Sequence, residues 1–261
     1  MVALPALRAV LAGRDFRRLF GVRLVAQFGD GLLQAALATF VLFSPEREPN
    51  AAKVAAAFAI LLLPYSVIGP FAGVFLDRWR RRNVLVRANL IKALLTIPVI
   101  LLVLNANDGF ALGLSVLVVL GIGRFVLAGL SASLPHVVAG RDLVTANALT
   151  PTAGTLMAAL GALGGVALRS ALGGGDSGSA IVLACALVAY LLSAGIAVLI
   201  AVDRLGPNGA RPSDTIRGVA VGLAEGISEL RVHAAAGRAI AVVGVHRIAF
   251  GVLTAGGLLL V

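Results

Sequence analysis

Apolar residues run along this chain in blocks at roughly 20–43, 53–76, 84–104, 110–133, 144–170, 179–202 and 237–261, and short polar stretches separate the blocks. A helix needs about 20 predominantly apolar residues to cross the hydrocarbon core of a bilayer, so each block predicts a spanning helix. The separators are of two kinds. Residues 44–50 (Ser-Pro-Glu-Arg-Glu-Pro-Asn), 105–109 (Asn-Ala-Asn-Asp-Gly) and 173–178 (Gly-Gly-Gly-Asp-Ser-Gly) are turn-rich and nearly neutral. The N-terminal flank and the second and sixth separators are basic: Arg8, Arg14, Arg17 and Arg18 precede the first block, Arg78, Arg80, Arg81, Arg82 and Arg87 follow the second, and Arg204, Arg211, Arg217 and Arg231 follow the sixth. The positive-inside rule then places the N-terminus and the even-numbered loops in the cytoplasm. The pattern predicts an all-α polytopic protein of a cell membrane, plasma or inner, with the lipid bilayer as its solvent.

Charges inside the first block and the lack of a small-residue cleavage signal make it a span rather than a removable leader. The stretch 203–236 opens with a Gly-Pro-Asn-Gly turn and then places Ile216, Val219, Ala220, Leu223, Ile227 and Leu230 on one helical face. That predicts a linker helix lying along the cytoplasmic surface. The expected organisation is a six-helix bundle over 1–202, a linker over 203–236 and a seventh span over 237–261. The last block ends on Leu258-Leu259-Leu260-Val261 with no polar flank, so the chain is expected to stop short of a missing C-terminal bundle.

Composition sharpens this picture. Apolar residues make up 59% of the 261, charged residues 13%, and the mean hydropathy is +1.00, beyond the roughly 45–50% apolar share of soluble domains. The net charge of +10 comes from clusters between apolar blocks rather than from a basic face with stacking aromatics, which sets nucleic acid aside as a partner. Cys185 is alone, so no internal disulfide or cysteine metal site is expected. His136, His233 and His246 are far apart, and neither Gly-x-Ser-x-Gly nor His-Glu-x-x-His occurs. No enzyme activity, metal or cofactor is expected.

A charge at mid-bilayer costs at least about 2.5 kcal/mol on insertion scales. Asp30 falls about 15 Å along the first block and Arg124 about 13 Å from the basic end of the fourth, with His246 and Arg247 of the seventh near the same level. Arg23, Gln27, Asp30 and Gln34 share one helical face through i, i+4, i+7, i+11 spacing. Two readings of Asp30 stand: a titrating carboxylate with Arg124 as a fixed positive neighbour and Gln27 and Gln34 as hydrogen-bonding groups, or a structural pair with Arg124 that holds two helices. His246 and Arg247 divide in the same way, and at most one of them faces a cavity squarely. Arg23 and Lys92 are expected to snorkel to the cytoplasmic interface.

The second separator reads Gly73-Val-Phe-Leu-Asp77-Arg78-Trp79-Arg80-Arg81-Arg82. It resembles the signature loop of the major facilitator superfamily, Gly-x-x-x-Asp-Arg-x-Gly-Arg-Arg/Lys, between spans two and three. Gly73, Asp77, Arg78, Arg81 and Arg82 match, and Arg80 stands where the family has glycine. Phe16-Arg-Arg-Leu-Phe20 before Gln27-Phe-Gly-Asp30, Leu134-Pro135-His136 with Thr145-Ala-Asn147, and Glu225-Gly226 are similar to bacterial drug- and siderophore-exporter-like members. The resemblance implies a six-helix bundle of inverted three-helix repeats, with spans one, four and seven lining a central cavity. It also implies a loop that latches two halves, and proton-coupled efflux of small, often hydrophobic substrates by alternating access. A receptor or scaffold on the same fold is the alternative, and the charges of spans one and four favour transport.

Overall fold

The computed structural model describes residues 4–41, 76, 79–107, 109–206, and 235, 237–238, 241–242, 244–246 and 249. The predicted second span, the linker helix and most of the seventh span lie outside the described residues. Within them the chain is helical. A short α1 (Leu4–Ala12) precedes α2 (Arg14–Val41), and α3 (Arg81–Leu104), α4 (Phe110–Ser133), α5 (Leu143–Ala171) and α6 (Gly175–Val198) follow. Two 3₁₀ turns, Leu134–His136 and Gly140–Asp142, join α4 to α5. Among the described residues four helical stretches are long and apolar enough to cross a membrane: Arg81–Leu104, Phe110–His136, Gly140–Ala171 and Gly175–Val198. The protein is thus an all-α polytopic membrane protein.

The helices form because their sequences leave the backbone no better partner in an apolar solvent. Hydroxyls inside them bond back to the preceding turn, Thr96 to the Lys92 carbonyl (2.8 Å) and Thr150 to that of Ala146 (2.9 Å), and so carry no unmet polar group into the core. The sixth span starts four residues earlier than the apolar pattern predicts. Gly173, Gly174 and Gly175 take positive φ (84°, 72° and 69°), a conformation open to glycine, and turn the chain sharply enough for α6 to begin at Gly175. Asp176 then sits in its first turn, where the helix dipole favours an anion.

The outward faces carry exposed leucine, isoleucine and valine, among them Leu94 and Leu101 on α3, Leu160 and Leu163 on α5 and Leu192 on α6. Lipid is the solvent that accepts such a surface. Inside, α2 packs against α5 and α6, and α3 against α4 and α6. The α2–α5 contact is made by small residues: a Cβ at Gly31 would collide with the Ala158 carbonyl oxygen, and one at Gly161 with the Phe28 carbonyl oxygen. Glycine here lets two backbones touch, the usual device where helices associate without a hydrophobic drive.

Among the described residues two large apolar clusters occupy the interior. One joins Leu33, Ala36, Val99, Val119, Leu183 and Ala186. The other, toward the arginine-rich ends, joins Phe16, Leu19, Val22, Leu85, Val126, Leu130 and Ile200. On each of α2, α3, α4 and α6 the residues between the two clusters include polar ones, and there the site lies.

Candidate functional site

The layer between the clusters centres on Asp30 of α2. Lys92 Nζ, from α3, donates to Asp30 Oδ1 at 2.5 Å, and the lysine side chain is 1% exposed against 17% for the aspartate. Tyr190 of α6, fully buried, donates its hydroxyl to the same Oδ1 at 3.0 Å. Its ring lies under the ammonium, with Nζ 4.0 Å from the centroid. The lysine is therefore held twice, by a carboxylate and by an aromatic face. From α4, Gly123 borders the pair: a Cβ there would stand 3.5 Å from Lys92 Nζ and 3.7 Å from Asp30 Oδ2. The next residue is half-buried Arg124.

Around this centre lie further buried polar groups. Asn89, on the Lys92 face of α3, is 0% exposed and donates to the Leu85 carbonyl at 2.8 Å, while its Oδ1 has no hydrogen-bond partner among the described residues. Ser193 of α6 donates to the Val22 carbonyl at 3.1 Å. Arg23, 7% exposed, donates to Gln27 Oε1 at 3.1 Å. Both lie against Gly154, where a Cβ would collide with the Gln27 amide.

These contacts revise the sequence expectations in two places. Lys92 does not snorkel to the interface, because a carboxylate and a tyrosine ring one helix away offer it a better environment than the headgroups. Arg23 likewise stays in, paired with Gln27. Of the residues expected along the pathway, Arg124 follows Gly123, whose position borders Asp30. Gln27 is engaged by Arg23, and Gln34 is exposed. His246 is exposed, and Arg247 lies outside the described residues. Lys92 and Tyr190 were not anticipated as partners of Asp30.

A second polar region lies at the arginine-rich ends. Arg81 donates through Nη1 to the Ala132 carbonyl in the last turn of α4 (2.9 Å) and to that of Leu205 (3.3 Å), and through Nε to that of Leu76 (3.3 Å). Arg82 reaches the end of α6, at the Val198 (2.9 Å) and Ile200 (3.2 Å) carbonyls. Arg17 does the same for α1 at Leu11 and Ala12 (3.1 and 3.0 Å). Each guanidinium meets carbonyls that a helix end leaves unpaired, where the dipole favours a cation. Gly73, Asp77 and Arg78 of the signature loop lie outside the described residues.

Among curated proteins the chain is 46% identical over 214 residues to an uncharacterized MFS-type transporter of Mycobacterium bovis and, to the same extent, to one of Mycobacterium tuberculosis. The matched region is 81% of this chain and 47% of each relative, so the chain spans about half the length of the curated relatives it matches. No family model matches it, and no solved structure does.

Proposed function

The chain belongs to the major facilitator superfamily, and from that premise we propose that it is the first half, with one helix more, of a secondary transporter that moves a small, often hydrophobic molecule by alternating access. In this reading residues 1–202 are one bundle, 203–236 a cytoplasmic linker and 237–261 the start of a second bundle. The protein sits in the inner membrane with its N-terminus in the cytoplasm. Protons are the coupling ion, and efflux is the direction that the exporter-like phrases imply.

The observation that carries the reading is the Asp30–Lys92–Tyr190 centre. A carboxylate at the level of the spans' middle, paired and with its side chain 17% exposed, joins three helices through one oxygen. Its protonation removes the charge that holds Lys92, and so changes what binds α2 to α3. Intramembrane ionisable groups of this kind mark ion and substrate pathways. Arg81 and Arg82 serve the latch in this proposal by fixing the ends of α4 and α6 beside it. Rocking of one bundle against another needs both bundles, so the chain alone is expected to be silent.

The test is reconstitution into vesicles with an imposed pH gradient, following a fluorescent hydrophobic dye. The chain extended to the length of its relatives should move the dye, the chain alone should not, and Asp30→Asn should abolish movement in the extended form. Asp203→Asn, which removes an exposed carboxylate, should leave it intact. Transport that survives Asp30→Asn would sink the assignment of the centre.

A further inference from the structure

Arg23 of α2 is a buried cation that the Asp30 centre does not explain. It is 7% exposed, and among the described residues its one hydrogen bond runs from Nε to the neutral Gln27 Oε1 at 3.1 Å, with no carboxylate in contact. A guanidinium carries five N–H donors, so most of its donors stand without an acceptor. Buried charges are ordinarily paired, because an unpaired one loses its hydration and gains nothing in exchange. Arg23 lines a cleft with Leu19 and Phe20 of α2, Leu130 of α4, Leu134 just after it and Thr150 of α5. The Thr150 hydroxyl is turned to the Ala146 carbonyl, which leaves Arg23 as the charge in an otherwise apolar lining. The cleft measures about 170 Å³ and has no room for a water, so solvent does not supply the missing acceptor inside it. Its α4 wall packs mainly on α3 and only lightly on α2, and is the wall that can give way to a ligand.

We propose that this cleft binds the carboxylate of a small amphiphilic molecule, whose anionic group meets the free edge of the Arg23 guanidinium and whose apolar body lies among Leu19, Phe20, Leu130 and Leu134. The planar fork of a guanidinium meets a carboxylate at two points, and such a charge-assisted pair is about twice as strong as a bond between neutral groups. A cation in the same place is repelled. Gln27 sets the direction of the fork, since its Oε1 holds Nε, and α5 closes behind the amide at Gly154, where a Cβ would collide with it. Calling the ligand a cargo rests on the transporter reading. Its binding at Arg23 does not depend on Asp30 and is measured without transport.

Benzoate, benzylammonium and acetate separate the two parts of the site, the charge and the apolar cleft. Each is measured at neutral pH by equilibrium dialysis against the chain in phosphatidylcholine nanodiscs, with empty discs subtracted. Benzoate should bind about tenfold more tightly than either of the others, and Arg23→Gln should lower its affinity about tenfold, the low end for a hydrogen bond to a charged group. Arg23→Gln removes an unpaired buried charge, so its thermal unfolding should come no earlier than that of the unaltered chain. Arg23→Lys keeps the charge without the fork and should bind benzoate with intermediate affinity. Benzylammonium bound as tightly as benzoate overturns the charge assignment, and acetate bound as tightly overturns the cleft. Benzoate binding unchanged in Arg23→Gln places the anion elsewhere. Displacement of benzoate by a soluble short-chain phosphatidylglycerol gives the cleft to a lipid headgroup, and loss of binding in the chain extended to the length of its relatives gives Arg23 to a carboxylate of the rest of the protein. Either result overturns the small-molecule ligand, as does failure of all three probes to bind. Benzoate binding that persists where Asp30→Asn leaves dye transport intact would keep this site while the Asp30 assignment falls.

Discussion

Two polar regions of this molecule both use basic side chains, and they use them differently. At the arginine-rich ends, Arg17, Arg81 and Arg82 donate to neutral backbone carbonyls that close α1, α4 and α6. In the middle layer, Lys92 meets a carboxylate and a phenol. A guanidinium on a carbonyl has no proton to exchange near neutral pH and one stable arrangement, so the first region is scaffold. An ammonium on a carboxylate is a pair whose charge a proton can cancel, so in the proposed reading the second region is the one that switches. Similar basic residues thus play fixed and variable parts according to what they face.

The strongest way to break that contrast is at Lys92. Lys92→Met leaves the half-buried Asp30 charged and without its nearest cation, and should destabilise the bundle by about 3 kcal/mol, the lower end of the range for losing one partner of a buried pair. Denaturant titration of the detergent-solubilised chain measures it. The double variant Asp30→Asn/Lys92→Met should recover most of the loss, because no uncompensated charge remains. A neutral Lys92→Met would mean that the middle layer is as indifferent to charge as the carbonyl caps are.

Arg81→Ala probes the other side of the comparison. It removes charge-assisted bonds to carbonyls of α4 and the segment after α6, with an expected loss of about 1.5–3 kcal/mol. Hydrogen exchange should quicken in the last turn of α4, around Ala132, and stay slow near Asp30. Arg81→Lys should restore only part, since a single ammonium cannot span carbonyls that the planar fork reaches together. Equal quickening in the middle layer would show the two regions to be one cooperative unit.

How much of this was legible in the sequence follows from the same contrast. Apolar runs carry their own evidence, so α3, α4 and α5 begin and end within a few residues of the predicted spans. The sixth span shifted because Gly-Asp-Ser-Gly looks like loop by composition, whereas three left-handed glycines complete the turn early enough for the aspartate to join the helix. Asp30 and Arg124 stood out as charges in apolar blocks. Lys92 was visible but misjudged, because a lysine some eight residues into a run is long enough to snorkel, and nothing local says that a carboxylate waits for it on another helix. Asn89 and Thr96, three residues before and four after it, form a polar stripe with Lys92 and were the available signal. Tyr190 gave none, since its role depends on a helix 160 residues away in sequence.

The smallest predicted effect sharpens the contrast most finely, because Tyr190 touches both members of the pair. Tyr190→Phe removes the hydrogen bond to Asp30 but keeps the ring beneath the ammonium, so it should cost about 0.5–1.5 kcal/mol, the usual net value of one hydrogen bond. Tyr190→Leu loses the ring as well and should cost more, the difference between the two reporting the cation–π contact. In an Asp30→Asn background the Tyr190→Phe penalty should shrink, since the acceptor no longer carries charge. A penalty unchanged by that background would assign the tyrosine to packing alone, and the switchable centre would then reduce to the aspartate and the lysine.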